Sequence, residues 1–100
     1  MTKNADITFR DNHFFISGEL DFSNVMSVYK KSLQLIRAHS PSSLIFNFSE
    51  LKSSNSAGLG LIIEWIKISK KSQRSIQLVA LSKSILAVIK AGRLDGFDLR

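Results

Sequence analysis

The chain has no cysteine among its 100 residues. That removes disulfide frameworks and thiolate metal sites, and a reducing cytosol is the consistent compartment. Histidine is almost as scarce. His13 and His39 have neither a nucleophile nor an acidic partner in sequence reach, so no catalytic centre and no metal site is expected. No glycine loop with its lysine is present to cradle a phosphate, since Ser53–Gly60, SSNSAGLG, lacks the required spacing. No cofactor is implied. Long apolar runs are also missing. The longest, LGLIIEWI, is interrupted by Glu64 and falls well short of the roughly 20 residues a membrane span needs. The opening MTKNADITFR lacks the apolar core of a signal peptide, so a soluble, cytoplasmic chain is expected. Acidic residues are few: 14 Lys and Arg face 8 Asp and Glu, giving a formal charge of +6. The bases are scattered, with no run of five or six and no interleaved aromatics, so nucleic acid is not an expected partner. An acidic protein or an anionic membrane surface remains open.

What is present is globular. Hydrophobic residues make up 44% of the chain against 22% charged, which argues against disorder and for one domain over residues 1–100. Ile7 and Phe9 alternate with Thr8 and Arg10, DNH makes a tight turn, and HFFISGEL places Phe14 and Ile16 on one face, so the chain opens with a hairpin. Gly18 marks a close approach or a bend. Ser23 is a candidate cap for a first helix carrying Val25, Val28, Tyr29, Ser32 and Ile36, which Pro41 terminates. Residues 43–48, SLIFNF, read as a strand buried on both faces at the centre of a sheet. A second helix runs from Ser56 or Ala57 to Lys71, SIQLVAL is a further buried strand, and SKSILAVIKAG is a third helix stopped by Gly92. GFDLR could add an edge strand. Helices recurring between buried strands imply crossover connections and an α/β fold, with a mixed, mostly parallel sheet of four to five strands, an N-terminal hairpin and three helices.

The second helix has more apolar surface than one sheet contact requires. Leu59, Ile62, Ile63 and Ile66 form one stripe, expected to face the sheet; Leu61, Trp65 and Ile68 form another. The second stripe is covered either by the first helix alongside or by another polypeptide, and a lone Trp is the residue type most enriched at interface hot spots. A symmetric contact between two copies would serve equally. At the helix entrance, Asn55 or Ser56 caps the first turn, and Gly58 and Gly60 let another backbone come close. A phosphate on Ser56 would bring roughly −1.5 to −2 charges to the positive end of the helix dipole. The simpler role for Ser56 is that of a cap.

The segment Asn47–Gly60, NFSELKSSNSAGLG, together with Gly18-Glu-Leu-Asp21, resembles the signature of STAS domains, the fold of anti-sigma factor antagonists and of sulfate-transporter cytoplasmic domains. With the element order, the resemblance covers nearly the whole chain. It aligns Ser56 with the Ser or Thr that antagonists present for phosphorylation. Asn55 and Asn47 stand where that family usually has Asp, which removes two carboxylates. A short, basic STAS domain with Ala57 and no further C-terminal helix is most similar to the small STAS subunit of the Mla phospholipid-transport ABC system. This resemblance implies a non-catalytic subunit that binds and supports the transporter ATPase and so serves outer-membrane lipid asymmetry, peripheral to the inner membrane at its cytoplasmic face. The implied partner-binding residues are Asn55, Ser56, Ala57, Gly58, Leu61, Trp65 and Ile68. The alternative it implies is an anti-sigma factor antagonist, regulated by phosphorylation of Ser56 by a kinase-like anti-sigma factor.

Overall fold

The computed structural model describes residues 4–91 and 98–99. Its elements are β1 (Ala5–Arg10), β2 (His13–Leu20), α1 (Val25–His39), β3 (Ser43–Ser54), α2 (Ala57–Ser72), β4 (Ser75–Val79), α3 (Lys83–Ala91) and β5 (Asp98–Leu99). The hairpin is tight because Asp11 and Asn12 both take positive φ, 50° and 63°, the turn geometry that matches the twist of two antiparallel strands. Strand order follows chain order, β1 to β5. β1 and β2 are antiparallel and the remaining pairs parallel. The edge strand expected in GFDLR is therefore β5; the stop expected at Gly92 lies outside the described residues.

Sequential parallel strands joined by crossovers of one hand must carry their helices on one side of the sheet. The core agrees: Ile7, Phe14, Ile16, Leu44, Phe46, Phe48 and Leu78 of the sheet join Val28 and Ile36 of α1, Leu61, Ile62 and Trp65 of α2, and Ile85 and Ile89 of α3 in a single cluster. This corrects the expectation of a strand buried on both faces. In β3, Leu44, Phe46 and Phe48 are buried, whereas Ile45 and Asn47 are only half-buried. β3 also runs six residues past Phe48. Two register shifts against β2 carry the pairing on to Leu20 with Ser54.

Gly18 has the close approach its sequence position suggested. Its φ is +86°, and a Cβ there would lie 2.1 Å from the Asn4 carbonyl oxygen, which accepts the Glu19 amide at 2.8 Å. At the first helix, by contrast, Ser23 is not the cap. Its amide and hydroxyl both donate to the Asp21 carboxylate, at 2.8 and 2.6 Å, and the Val25 amide bonds back to the Asp21 carbonyl. α1 ends at Ser40, whose positive φ lets its amide reach Ile36, immediately before Pro41. Lys31 donates to Asp6 at 2.7 Å, which ties α1 to the edge strand and holds that carboxyl below its ordinary range.

The two helical stripes read from α2 are both out of phase with the packing. The buried line is Ala57, Gly58, Leu61, Ile62, Trp65 and Ser69, at helical spacing of three and four. Leu59, Ile63 and Ile66, placed against the sheet by the sequence reading, are half-buried flanks. Trp65 is wholly buried: its ring stacks on Phe46 at 3.9 Å between centroids, and its indole N–H donates to the Ser32 hydroxyl at 3.0 Å. That hydroxyl donates onward to the Tyr29 carbonyl at 2.6 Å. Of the two covers open to the second stripe, α1 is the one present. Trp65 and Leu61 are consequently buried core residues, and Ile68 is half-buried against the same core.

Ser32→Ala should leave the indole N–H buried without an acceptor and lower unfolding free energy by about 1–3 kcal/mol. Trp65→Ala should cost about 3–5 kcal/mol through the cavity it opens. Urea denaturation followed by circular dichroism measures both. A Trp65→Ala protein as stable as the parent would show that the ring is not a core element.

Candidate functional site

The entrance to α2 is assembled from its own backbone outward. Asn55 is its organiser: its side-chain oxygen accepts the Ala57 amide at 2.8 Å and its carbonyl accepts the Gly58 amide at 3.1 Å. Its own N–H donates to the Leu20 carbonyl at 3.3 Å, pinning the end of β3 to the end of β2. The Leu59 and Gly60 amides turn back to the Ser56 carbonyl. Of the two candidate caps, Asn55 therefore does the capping. Ser56 already has helical φ and ψ, makes no side-chain capping bond and is exposed.

The glycines of this turn have separate reasons. A Cβ on Gly58 would lie 2.3 Å from the Ser54 hydroxyl oxygen, so a side chain there would have to displace that hydroxyl, and the residue is buried. A Cβ on Gly60 would meet nothing within 4 Å. The close approach expected at both glycines is thus internal at Gly58, and Gly60 faces open space.

That space is a groove of about 450 Å³ between the first halves of α1 and α2. Its α1 wall is Phe22, just before the helix, with Val25, Met26 and Tyr29; its α2 wall is Ser56, Ala57, Gly60, Leu61 and Glu64. Phe22 is 69% exposed and Met26 58%, the large hydrophobics left most open to solvent among the described residues. Neither is prominent in the sequence. Phe22 lies in the bend before the helix, and Met26 falls off the Val25, Val28, Tyr29, Ser32, Ile36 line. The available signal was the apolar type of Met26 on the flank of that line, next to Val25. Glu64 is the groove's charged residue, with Lys67 beside it at 3.5 Å on the outer side of the helix.

Of the sequence-based candidates, the groove brings together Ser56, Ala57, and an edge of Leu61. Asn55 holds it from behind, and Gly58 and Trp65 lie beneath it in the core. Ile68 is not among its lining residues. Asn47 is elsewhere too: its amide lies 3.4 Å from a ring nitrogen of His13 and its carbonyl oxygen accepts the Ser49 amide, seven residues of strand before Asn55. His13 also stacks on Phe15, and His39 stacks on Phe9 at 4.4 Å. Among the described residues, no group of three or more His, Asp or Glu side chains is placed to hold a metal.

A model of the family described as "Mlab, STAS domain" matches residues 4–100. The chain belongs to the STAS-domain family. Solved STAS-fold structures are similar to it along nearly their whole length. The anti-sigma factor antagonist SpoIIAA in its unphosphorylated form matches with a TM-score of 0.66 at 21% identity, covering 99% of this chain and 87% of that one. A variant of RsbS from Moorella thermoacetica matches with a TM-score of 0.71 at 15% identity, covering 94% of this chain and 83% of that one. At such identities the likeness is one of fold. No curated protein matches the chain. For this STAS domain the family match and the fold agree on the scaffold, and the groove is a feature of its own surface residues.

The two glycines give a test of the geometry. Gly60→Ala should stabilise the isolated domain by about 0.5–1 kcal/mol, because a helical alanine is favoured and its methyl has room. Gly58→Ala should not, since it forces the Ser54 hydroxyl off the Asn55 carbonyl that it now donates to at 2.8 Å. Thermal melts of the two variants should move apart, and a Gly60→Ala melt below the parent would mean that the open space is filled.

Proposed function

We propose that this STAS domain is a non-catalytic subunit that docks on the ATPase of an ABC-type phospholipid transporter and supports its activity, with the groove beside Ser56 as the docking surface. The observation that carries this is the exposure of Phe22 and Met26 beside a helix entrance whose amides are already internally bonded. An apolar patch lined by no histidine, and with no metal-binding cluster among the described residues, suits binding better than chemistry. The match to the family described as "Mlab, STAS domain" supports the transporter assignment over other STAS roles. On this reading the domain sits at the cytoplasmic face of the inner membrane through its partner, and a phosphate is not needed for binding.

The second reading, an anti-sigma factor antagonist switched by phosphorylation, is favoured by the SpoIIAA neighbour and by the exposed Ser56 hydroxyl, which makes no capping bond. A phosphate there would stand at the groove wall with Glu64 and opposite Phe22 and Met26, where like charge and lost apolar contact would both oppose docking.

Co-purification separates the two. A transporter subunit should be recovered with an ATPase and a permease, and Met26→Ser, Phe22→Ala or Ser56→Asp should each reduce that recovery while the domain remains folded. Interface anchors of this kind typically account for about 2 kcal/mol or more. An antagonist should instead gain a single phosphate from a cognate kinase with ATP and lose it in Ser56→Ala. Full recovery of the complex in all three surface variants would exclude the groove as the docking surface. Trp65→Ala does not serve here, because it disturbs the core.

A further inference from the structure

We infer that the occupant of the groove is a basic amphipathic α-helix of another protein, seated on Phe22 and Met26, crossing close over Gly60, and placing a Lys or Arg against Glu64. This rests on the reading of the groove as a docking surface and adds what docks there.

The walls favour a helical occupant. Both are helices whose backbones are bonded internally, and the Ala57, Gly58, Leu59 and Gly60 amides are all taken by Asn55 and Ser56. An extended strand would find no edge to pair with, and an anion would find the four amides from Ala57 to Gly60 already taken. A segment that gains no backbone partners in an apolar groove satisfies its own backbone most fully as an α-helix, whose bonds are internal. Gly60 supports close packing: it lowers the helix's own stability, nothing in the chain fills the position, and it lies one turn beyond Ser56 on the groove wall. Charge gives the partner's sign. Although the chain carries a net +6, the charged side chain lining the groove is Glu64, which is 46% exposed and only loosely engaged by Lys67. A carboxylate beside apolar anchors selects a helix with a base about one turn from its own apolar residues and sets its register.

The test is photo-crosslinking in cells producing the full chain, with a benzophenone amino acid at Met26 and, as control, at Thr8, which is exposed on the opposite face of the sheet. The expected product joins Met26 to a helical segment of another protein, with apolar residues at spacings of three and four and a Lys or Arg within a turn. Its yield should fall on the order of tenfold with Glu64→Lys, fall in the same direction with Glu64→Gln, and recover when the partner's base is changed to Glu. Both variants should keep the parent's melting temperature, since an exposed ion pair contributes little. If the segment belongs to an ABC ATPase, the proposed function stands as well; if it belongs to another protein, the helix inference stands and the ATPase assignment falls. A crosslink to a second copy of this chain, to lipid, or to a strand or loop would overturn the inference. So would a yield no greater than from Thr8, or one indifferent to Glu64.

Discussion

The indole of Trp65 fixes the relation between the two helices that matter. It is held from below by the Phe46 ring and from the side by the Ser32 hydroxyl, so α2 can neither slide along α1 nor roll over the sheet without losing a stacked ring and a buried hydrogen bond together. Ser32 is itself buried, and its small side chain lets the helices approach where the largest residue must fit. The groove is the other end of this same interface. Moving up α2 one turn at a time, the residue turned toward α1 shrinks from Trp65 to Leu61 to Ala57, so the seam that is closed at the indole opens toward the helix entrances. Opposite it stand Val25, Met26 and Phe22, with too little across from them to be covered. The exposed patch is thus a consequence of where the large side chain was placed.

Much of the scaffold was legible because its signals are local. Alternation in residues 7–16, the tight turn at DNH, the glycine at position 18, and helices recurring between apolar strands each follow from period and turn chemistry, whereas the order of the strands is known only from the structure, because crossover hand fixes the side of the helices and not the neighbours in the sheet. The phase of α2 was not legible. Leu59, Leu61, Ile62, Ile63, Trp65, Ile66 and Ile68 cover more than half of the helix circumference, so although Glu64, Lys67 and Lys71 mark the outward side, the inward line within that broad apolar arc stays open; the contact with Ser32 fixes it, and that is tertiary. Reading Trp65 as a hot spot used a residue-type preference where burial decides. Phe22 and Met26 were missed for the converse reason. Neither lies on an apolar stripe, and exposure of a single Phe or Met is a property of what the fold leaves uncovered.

The solved neighbours share this scaffold at 15% and 21% identity, which is enough to retain sheet order and helix placement. Partner choice depends on a different set of residues. Stacking, strand pairing and the Asn55 turn can all be kept while Phe22, Met26, Gly60 and Glu64 change, because none of those four is among the buried residues. Fold likeness to an anti-sigma factor antagonist therefore transmits the platform and not the partner.

The chemistry around Ser56 bears on which use this platform has been put to. Asn55 caps the helix through its amide oxygen, as an aspartate would, but without bringing a negative charge to the positive end of the helix dipole. Choosing the neutral side chain forgoes a favourable electrostatic contribution of about 0.3–1 kcal/mol at that position. In return, the entrance stays uncharged except for Glu64, and the groove keeps a continuous apolar wall up to the Ser56 hydroxyl. A phosphate would be the largest charge in such a setting, with the Ala57, Gly58, Leu59 and Gly60 amides already committed to Asn55 and Ser56. On the function proposed above, a surface built this way suits steady docking better than a switch that must accept and release charge.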